Sequence, residues 1–158
     1  MFDEIKVFQH DAGLDFRGAI WTTWEKKNWP DIDFIHDKFS ISKKDVLRGL
    51  HGDRKTWKLV TCVYGKIFQV VVDARPFSKT YLEWDSWYLD ADNRKQILIP
   101  PNFANGFLCL SDECVYHYKL AYDGEYNDVD HQFTIKWNDP RLKIPWPINN
   151  PILYGRDK

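Results

Sequence analysis

The 158-residue chain lacks several features that would place it in a large class of proteins. No apolar run approaches the length that spans a bilayer, so we expect no membrane partner. The formal net charge is −1, whereas nucleic-acid binding favours a basic face, so we expect no nucleic-acid partner. The start, MFDEIKVFQHDAG, has no basic region followed by an apolar segment, so we expect no secretory signal.

Cysteine is scarce, and the sequence shows no cofactor motif. Cys62, Cys109 and Cys114 lie in apolar, strand-like stretches without motif spacing, which predicts buried thiols in a reducing compartment, the cytoplasm. We expect no metal, because the histidines lack the His-x-His spacing of a metal-ligand cluster. A glycine-rich dinucleotide loop is also absent, so we expect no nicotinamide cofactor. The five histidines are His10, His36, His51, His117 and His131.

What the chain has in abundance is alternation of apolar and polar residues with a period of two, which predicts strands. The expected strands cover about 33–41, 57–64, 66–73, 80–90, a run into Ile99, 106–111 and 113–122. Helix signals are weak, and TTWEKKNW predicts a short turn at most. Many short strands separated by turns predict one all-β domain over 1–158, a cupin-type jelly roll in which two antiparallel sheets form a sandwich or barrel. The mouth of such a barrel is a natural ligand cavity.

One stretch, VLRGLHGDRKTWKLV at 46–60, places a histidine and several cations between strand-like runs. One interpretation is a charged rim exposed to solvent. The other is an anion-binding pocket that contains a base. The 26 aromatic residues (8 Trp, 8 Tyr and 10 Phe) also have two interpretations. They suit the core of a sheet, or they form stacking platforms for a base or a sugar ring.

A series of motifs across nearly the whole chain narrows these alternatives. In order they are DFRG (15–18), FIHDKFSIS (34–42), VLRGLH (46–51), KLVTCVYGKIFQVVVDAR (58–75), RKQILIPPNFANGF (94–107), YK (118–119), WNDP (137–140), IPWP (144–147) and PILYGRDK (151–158). In this order the chain resembles the dTDP-4-dehydrorhamnose 3,5-epimerase family, which are cupin-fold nucleotide-sugar epimerases. Within that resemblance, 58–75 matches the family's central hairpin.

The resemblance implies a substrate and four catalytic residues. The substrate is a 4-keto sugar on a nucleotide diphosphate, whose ketone acidifies the hydrogens on the two neighbouring carbons, so no redox cofactor is needed. His51 matches the base, and Asp157 matches the carboxylate that fixes its tautomer. Lys58 matches the cation beside the keto oxygen, where it stabilises the enolate. Tyr118 matches the acid on the opposite face of the sugar; the neighbouring His117 is expected to point away.

Arginines at two positions match the family's diphosphate-binding residues. Arg17 and Arg48 fit this role because a planar guanidinium pairs well with phosphate oxygens. On a regular strand, however, Arg48 and His51 would face opposite sides. We therefore expect a bulge at Gly49 that realigns them. Arg54 is interpreted as charge at the rim.

The sequence departs from the family at positions that contact the substrate. Asn105 replaces the histidine of the usual FAHGF; it can hydrogen-bond the sugar or an active-site group but cannot carry the proton. Thr22 stands where a base-reading glutamate is usual. His36 and Lys38 align with a glutamine and an asparagine that also lie near the base. A base other than thymine, such as guanine, is therefore an open alternative.

These observations predict a cofactor-independent 3,5-epimerase that supplies sugars for a surface polysaccharide, capsule or lipopolysaccharide. The resemblance also implies a homodimer in which the N-terminal strand of one subunit joins the sheet of its neighbour. The alternatives are a carbon-3-only epimerase, a related cupin keto-isomerase and a non-catalytic sugar-nucleotide-binding cupin. A keto-isomerase should have a second histidine just after the first, but Gly52 and Asp53 follow His51.

Overall fold

The structure is a computed structural model that describes residues 2–158. Its regular structure consists of strands and three short 3₁₀ helices, and within these residues no helix is long and apolar enough to cross a membrane. The strands are β1 (Lys6–Gln9), β2 (Gly13–Asp15), β3 (Gly18–Ile20), β4 (His36–Lys43), β5 (Leu47–Gly52), β6 (Trp57–Tyr64), β7 (Lys66–Asp73), β8 (Trp84–Asp90), β9 (Lys95–Ile99), β10 (Phe103–Cys109), β11 (Glu113–Ala121) and β12 (Phe133–Thr134). The 3₁₀ helices are η1 (Lys26–Asn28), η2 (Val129–His131) and η3 (Gly155–Asp157).

Two five-stranded antiparallel sheets form the body of the protein. The first has the order β1-β9-β6-β11-β4, and the second has the order β12-β5-β10-β7-β8. Strands β2 and β3 form a separate hairpin near the N-terminus. This arrangement confirms the predicted double-sheet jelly roll.

The predicted strands are found with small shifts at their ends. The strand expected over 80–90 begins only at Trp84, because residues 80–83 form a turn. A backbone hydrogen bond of 2.9 Å from the Glu83 amide to the Thr80 carbonyl closes this turn. The strand expected over 106–111 begins at Phe103, directly after the Pro100-Pro101 turn. The TTWEKKNW segment forms only η1, as the weak helix signal predicted.

The prediction of a central hairpin over 58–75 is wrong. Strands β6 and β7 have the predicted bounds, but they belong to different sheets and do not pair with each other. The chain crosses between the sheets at Gly65, whose φ is 75°. A Cβ at this position would lie 2.2 Å from the Glu113 carbonyl oxygen, so the crossing needs glycine. The period-two pattern predicts strands but does not say which strands pair.

Apolar side chains fill both faces of the second sheet. One face packs against the first sheet around Val71, Phe107 and Tyr116. The other face packs beneath the C-terminal segment, which contributes Trp137 and Trp146. The second sheet is buried on both faces along β7 after Lys66 and along all of β10.

The three cysteines are buried free thiols, as predicted. Burial raises the pKa of Cys62 to about 12, and the thiol donates to the Tyr64 carbonyl at 3.1 Å. The pKa of Cys114 is also raised, chiefly by burial. The thiols of Cys62 and Cys114 therefore stay protonated near neutral pH and act as small apolar side chains.

Candidate active site

A cavity of about 320 Å³ lies between the two sheets. Strands β4, β6 and β11 of the first sheet line it together with β5 and β10 of the second, and the segments around η2 and η3 complete the lining. The structure brings most of the predicted site residues to this one place. Those that line the cavity are Lys38, Arg48, His51, Lys58, Asn105, Tyr118 and Asp157.

A bulge in β5 turns Arg48 and His51 into the same cavity. His51 lies opposite Asn105 and Arg48 lies opposite Phe107, so three steps along β5 match two steps along β10. Gly49 lies within this extra step and has a φ of 134°, which residues other than glycine rarely adopt. The irregularity predicted at Gly49 is therefore present.

His51 contacts the carboxylate of Asp157. Its Nε2 lies 2.6 Å from Asp157 Oδ1, and the two side chains are only 14% and 4% exposed. An ionised carboxylate accepts hydrogen bonds, so this contact places the imidazole proton on Nε2. The lone pair of neutral His51 is then on Nδ1.

The C-terminal segment holds Asp157 in position by pairing with the chain next to β5. The Leu47 amide donates to the Ile152 carbonyl at 3.0 Å, and the Ile152 amide donates to the Asp45 carbonyl at 2.8 Å. The Asp157 amide donates to the Tyr154 carbonyl at 2.9 Å within η3. The carboxylate next to His51 is thus supported by backbone hydrogen bonds.

Lys58 is a buried cation with neutral contacts. Its Nζ donates to Asn105 Oδ1 at 3.2 Å and to the His51 carbonyl at 3.4 Å. Burial lowers the pKa of Lys58 to about 8, the charge of Asp53 opposes this shift, and the charge of Arg156 adds to it. A negative charge that develops close to Nζ would therefore be strongly stabilised.

Tyr118 faces the cavity from the sheet opposite to the one that carries His51. Its hydroxyl makes one long contact, 3.4 Å to Ser40 Oγ. Burial raises the pKa of Tyr118, while the Ser40 contact and the charges of Arg48 and Lys38 oppose that shift. The phenol is consequently neutral at physiological pH and can donate its proton.

Two further cations, Arg48 and Lys38, line the cavity. Arg48 donates through Nε to Ser42 Oγ at 2.9 Å and through Nη2 to the Ile41 carbonyl at 3.3 Å. Both acceptors are neutral, so they orient the guanidinium without cancelling its charge. Lys38 Nζ lies 3.8 Å from the Asp128 carboxylate.

Three predicted binding residues are not part of the cavity lining in this chain. Arg17 pairs with Asp15 beside the β2–β3 hairpin, and Thr22 is exposed on the segment that follows β3. Both side chains are exposed, and neither lines the cavity of its own chain. His36 lies behind the lining, with Nδ1 3.1 Å from the Tyr122 hydroxyl and its ring 5.0 Å from that of Tyr126.

His117 points away from the cavity, as predicted. Its Nε2 lies 2.8 Å from Asp37 Oδ1 and its ring stacks on Phe39 at 4.6 Å on the outer face of the first sheet. Alternation of side chains along β11 separates it from Tyr118.

Sequence reasoning missed several residues that line the cavity. Arg156 donates through Nη2 to His51 Nδ1 at 3.0 Å, and Ser40 contacts Tyr118. Arg156 stands next to Asp157 in the GRDK motif, and that adjacency was the available signal. Tyr126 and Gln132 lie in a loop without period or motif, so the sequence offered no comparable signal for them.

A larger, shallower depression of about 920 Å³ lies elsewhere on the surface, around Arg75 and Phe77. Its main cation is already neutralised, because Arg75 donates to Asp73 at 2.8 Å and to Glu4 at 2.7 Å. It contains no histidine or tyrosine that could exchange protons. The smaller cavity is therefore the candidate active site. Within residues 2–158, no three His, Cys, Asp or Glu side chains are grouped to hold a metal.

The chain is similar to known proteins over nearly its whole length. A family model described as dTDP-4-dehydrorhamnose 3,5-epimerase matches residues 1–158. The enzyme of that name from Escherichia coli K12 is 39% identical over 155 residues, covering 96% of this chain and 82% of its relative. The one from Methanothermobacter thermautotrophicus is 39% identical over 161 residues, covering 96% and 85%.

Solved structures show the same fold. The dTDP-6-deoxy-D-glucose-3,5-epimerase from Legionella pneumophila, in complex with dTDP-4-keto-L-rhamnose, superposes with a TM-score of 0.91 at 34% identity. The match covers 99% of this chain and 86% of the Legionella chain. Together with the full-length family match, this similarity leads to one conclusion: the chain belongs to the dTDP-4-dehydrorhamnose 3,5-epimerase family.

Proposed function

We propose that this protein epimerises a dTDP-linked 4-keto-6-deoxy sugar at carbons 3 and 5, in the cavity between its two sheets. The observation that supports this most strongly is the placement of His51, with Asp157 behind it, on one sheet and Tyr118 on the other. Inversion of a carbon needs a base on one face of the sugar and an acid on the other, and these two groups lie on opposite sides of one cavity.

The proposed mechanism uses only groups of this chain. His51 removes the proton next to the ketone, and Asp157 stabilises the resulting imidazolium. The ammonium of Lys58 stabilises the oxygen of the enolate. Tyr118 then returns a proton to the opposite face, and Arg48 binds the diphosphate.

The names of the relatives favour thymidine as the nucleoside. Both the Escherichia coli enzyme and the family model are named for a dTDP-linked sugar. The Legionella structure contains dTDP-4-keto-L-rhamnose. The guanine alternative was based on changes at Thr22, His36 and Lys38. Of these, only Lys38 lines the cavity of its own chain.

Exchange of substrate protons with solvent tests this function. The protein is incubated with dTDP-4-keto-6-deoxy-D-glucose in heavy water, and mass spectrometry follows the incorporation of deuterium. We expect incorporation, with inverted products identified by NMR. A protein that binds the sugar nucleotide without exchange would be a binding module and would contradict the proposal. The GDP-linked analogue is the comparison for base preference.

We also propose that the protein, a single cupin-type domain, works as a homodimer. The β2–β3 hairpin exposes large apolar side chains, with Leu14 74%, Phe16 99% and Ile20 78% exposed. Strand β4 is an unpaired edge of the first sheet and exposes Phe39 and Ile41, each at 62%. A monomer would leave this apolar surface and this edge uncovered. Pairing through them would also let Arg17 and Thr22 reach the cavity of the neighbouring subunit.

Complementation between inactive variants tests this arrangement. Arg17→Ala and His51→Ala are each purified and then mixed under conditions in which subunits exchange. If Arg17 acts in the neighbouring subunit, a mixed dimer contains one complete site and activity reappears. Mixing without recovery, or a monomeric mass by light scattering, would contradict the proposal.

The cellular setting follows from the chemistry. Three buried, unpaired thiols suit the reducing cytoplasm, where nucleotide sugars are made. We propose that the product supplies a surface polysaccharide, either a capsule or a lipopolysaccharide.

A further inference from the structure

Both ring nitrogens of His51 are engaged. Nε2 contacts Asp157 at 2.6 Å, and Nδ1 lies 3.0 Å from Nη2 of Arg156. A guanidinium has no acceptor, so it can only donate to Nδ1, and Nδ1 must bear the lone pair. The two contacts therefore agree on a neutral imidazole with its proton on Nε2.

This arrangement has a consequence for a base in this position. Nε2 is committed to Asp157, so Nδ1 is the nitrogen that is left to take a proton from a substrate. In the structure the lone pair of Nδ1 is already used by Arg156. Before His51 can act as a base, Arg156 has to move.

The contacts of Arg156 suit such a movement. Its Nη1 donates to the Val129 carbonyl and to Gln132 Oε1 at 3.4 Å each, which are long contacts to neutral oxygens. The nearest carboxylate oxygen of Asp157 is 4.0 Å from its Nε. The side chain is 29% exposed and lines the cavity with Arg48 and Lys58. A doubly charged anion in that cavity offers a guanidinium much stronger contacts than these.

We propose that Arg156 is a positioning residue that holds His51 in the Nε2–H tautomer by donating to Nδ1, and that the substrate's diphosphate draws it away, freeing the base only when substrate is bound. This inference rests on the proposed role of His51 as the base. Proton abstraction is thereby coupled to occupation of the cavity by the anion that the substrate carries.

The test observes Nδ1 directly, without relying on turnover. Protein with ¹⁵N-labelled histidine is studied by NMR at a pH where His51 is neutral, and the His51 signals are assigned with His51→Gln. Arg156→Met removes the donor at similar length, and Arg156→Lys retains one. Arg141→Met is the matched control, because Arg141 pairs with Asp139 at the surface, away from the cavity.

We expect the Nδ1 signal to move downfield in Arg156→Met relative to the parent, because a lone pair that accepts no hydrogen bond resonates further downfield. Arg156→Lys and Arg141→Met should keep the parent position. Saturating dTDP should move the parent signal towards that of Arg156→Met. Superimposed Nδ1 signals in the parent and Arg156→Met without ligand would overturn the inference, and so would a parent signal that does not move when dTDP is bound.

Binding of dTDP is followed separately by its ³¹P signals. Binding of dTDP without a change at Nδ1 contradicts only the present inference. A failure of dTDP to bind contradicts the proposal that the substrate is dTDP-linked, and also the proposal that its diphosphate moves Arg156. The kinetic counterpart is a split between KM and kcat. Arg156→Met should raise KM because it loses a diphosphate contact, while kcat at saturation is kept, since the bound parent no longer has Arg156 on Nδ1. A loss confined to kcat would overturn the inference.

Discussion

His51 and Asp157 lie 106 positions apart in the chain, and their side chains meet at 2.6 Å. The carboxylate is 4% exposed and the imidazole 14%, so the pair is shielded from water on most sides. A hydrogen bond of this kind orients the imidazole and stabilises its charged form after it has taken a proton.

His51→Ala should therefore remove nearly all turnover and leave the fold intact. General-base catalysis contributes about 100- to 10,000-fold, and we expect a loss in that range. Deuterium incorporation into the substrate measures the activity, and circular dichroism checks the fold. His131→Ala is the control, because His131 is exposed and does not line the cavity. Turnover of His51→Ala within a few fold of the parent would remove His51 from the mechanism.

The pH dependence of kcat/KM should reflect the ionisation of Lys58. Burial lowers its pKa to about 8, so the ammonium of the free enzyme loses its charge as the pH rises through that value. Since the charged form stabilises the enolate, kcat/KM should fall above about pH 8. In Lys58→Arg the guanidinium keeps its charge, and the decline should move to higher pH. An alkaline decline at the same pH in both proteins would assign it to another group.

Arg48→Ala should weaken substrate binding more than it slows chemistry. Its acceptors in the free protein are the neutral oxygens of Ser42 and Ile41, so its charge remains available for a phosphate. Arg48 is exposed, and we expect KM to rise about tenfold, or about 1.4 kcal/mol, with a smaller effect at high salt. Arg54→Ala, an exposed arginine outside the cavity, should leave KM unchanged. An unchanged KM in Arg48→Ala would place Arg48 outside the phosphate site.

Activity should not depend on metal or nicotinamide. The ketone of the substrate accepts the electrons, and the histidines lack the spacing of a cupin metal site. Dialysis against a chelator should leave the rate of deuterium exchange unchanged. Loss of exchange that returns on addition of a divalent metal would overturn this prediction.

Asn105 should affect how many carbons are inverted. Its Oδ1 accepts from Lys58 Nζ at 3.2 Å, in the place where the family usually has histidine. The sugar must be repositioned between the two inversions, and a change at Asn105 can weaken the hold on it. We expect two deuterons from heavy water, with carbon 3 exchanging before carbon 5, and faster exchange at carbon 5 in Asn105→His. A single deuteron on carbon 3, even after long incubation at high enzyme concentration, would show a carbon-3 epimerase instead.

Local pattern predicted much of the site, because the key residues lie in short motifs. The VLRGLH motif contains both Arg48 and His51, and the GRDK motif contains Asp157. The requirement that both Arg48 and His51 face one cavity even predicted the irregularity at Gly49, which the register of β5 against β10 contains. The roles of these residues came from the resemblance of the motifs to those of the family, and strand geometry added the expected irregularity at Gly49.

The sequence by itself determined seven of the twelve strands, the jelly roll and the chemistry of the side chains, because period-two alternation and residue type are local properties. Only the tertiary structure decided which strands pair, since the same pattern suits a hairpin or a crossing between sheets, and β6 and β7 cross. It also decided that Arg17 lies away from the cavity of its own chain, and that Arg156 reaches Nδ1 of His51. The contact between Arg156 and His51 joins residues 105 positions apart and depends on how the whole chain packs, so the strand pattern does not encode it.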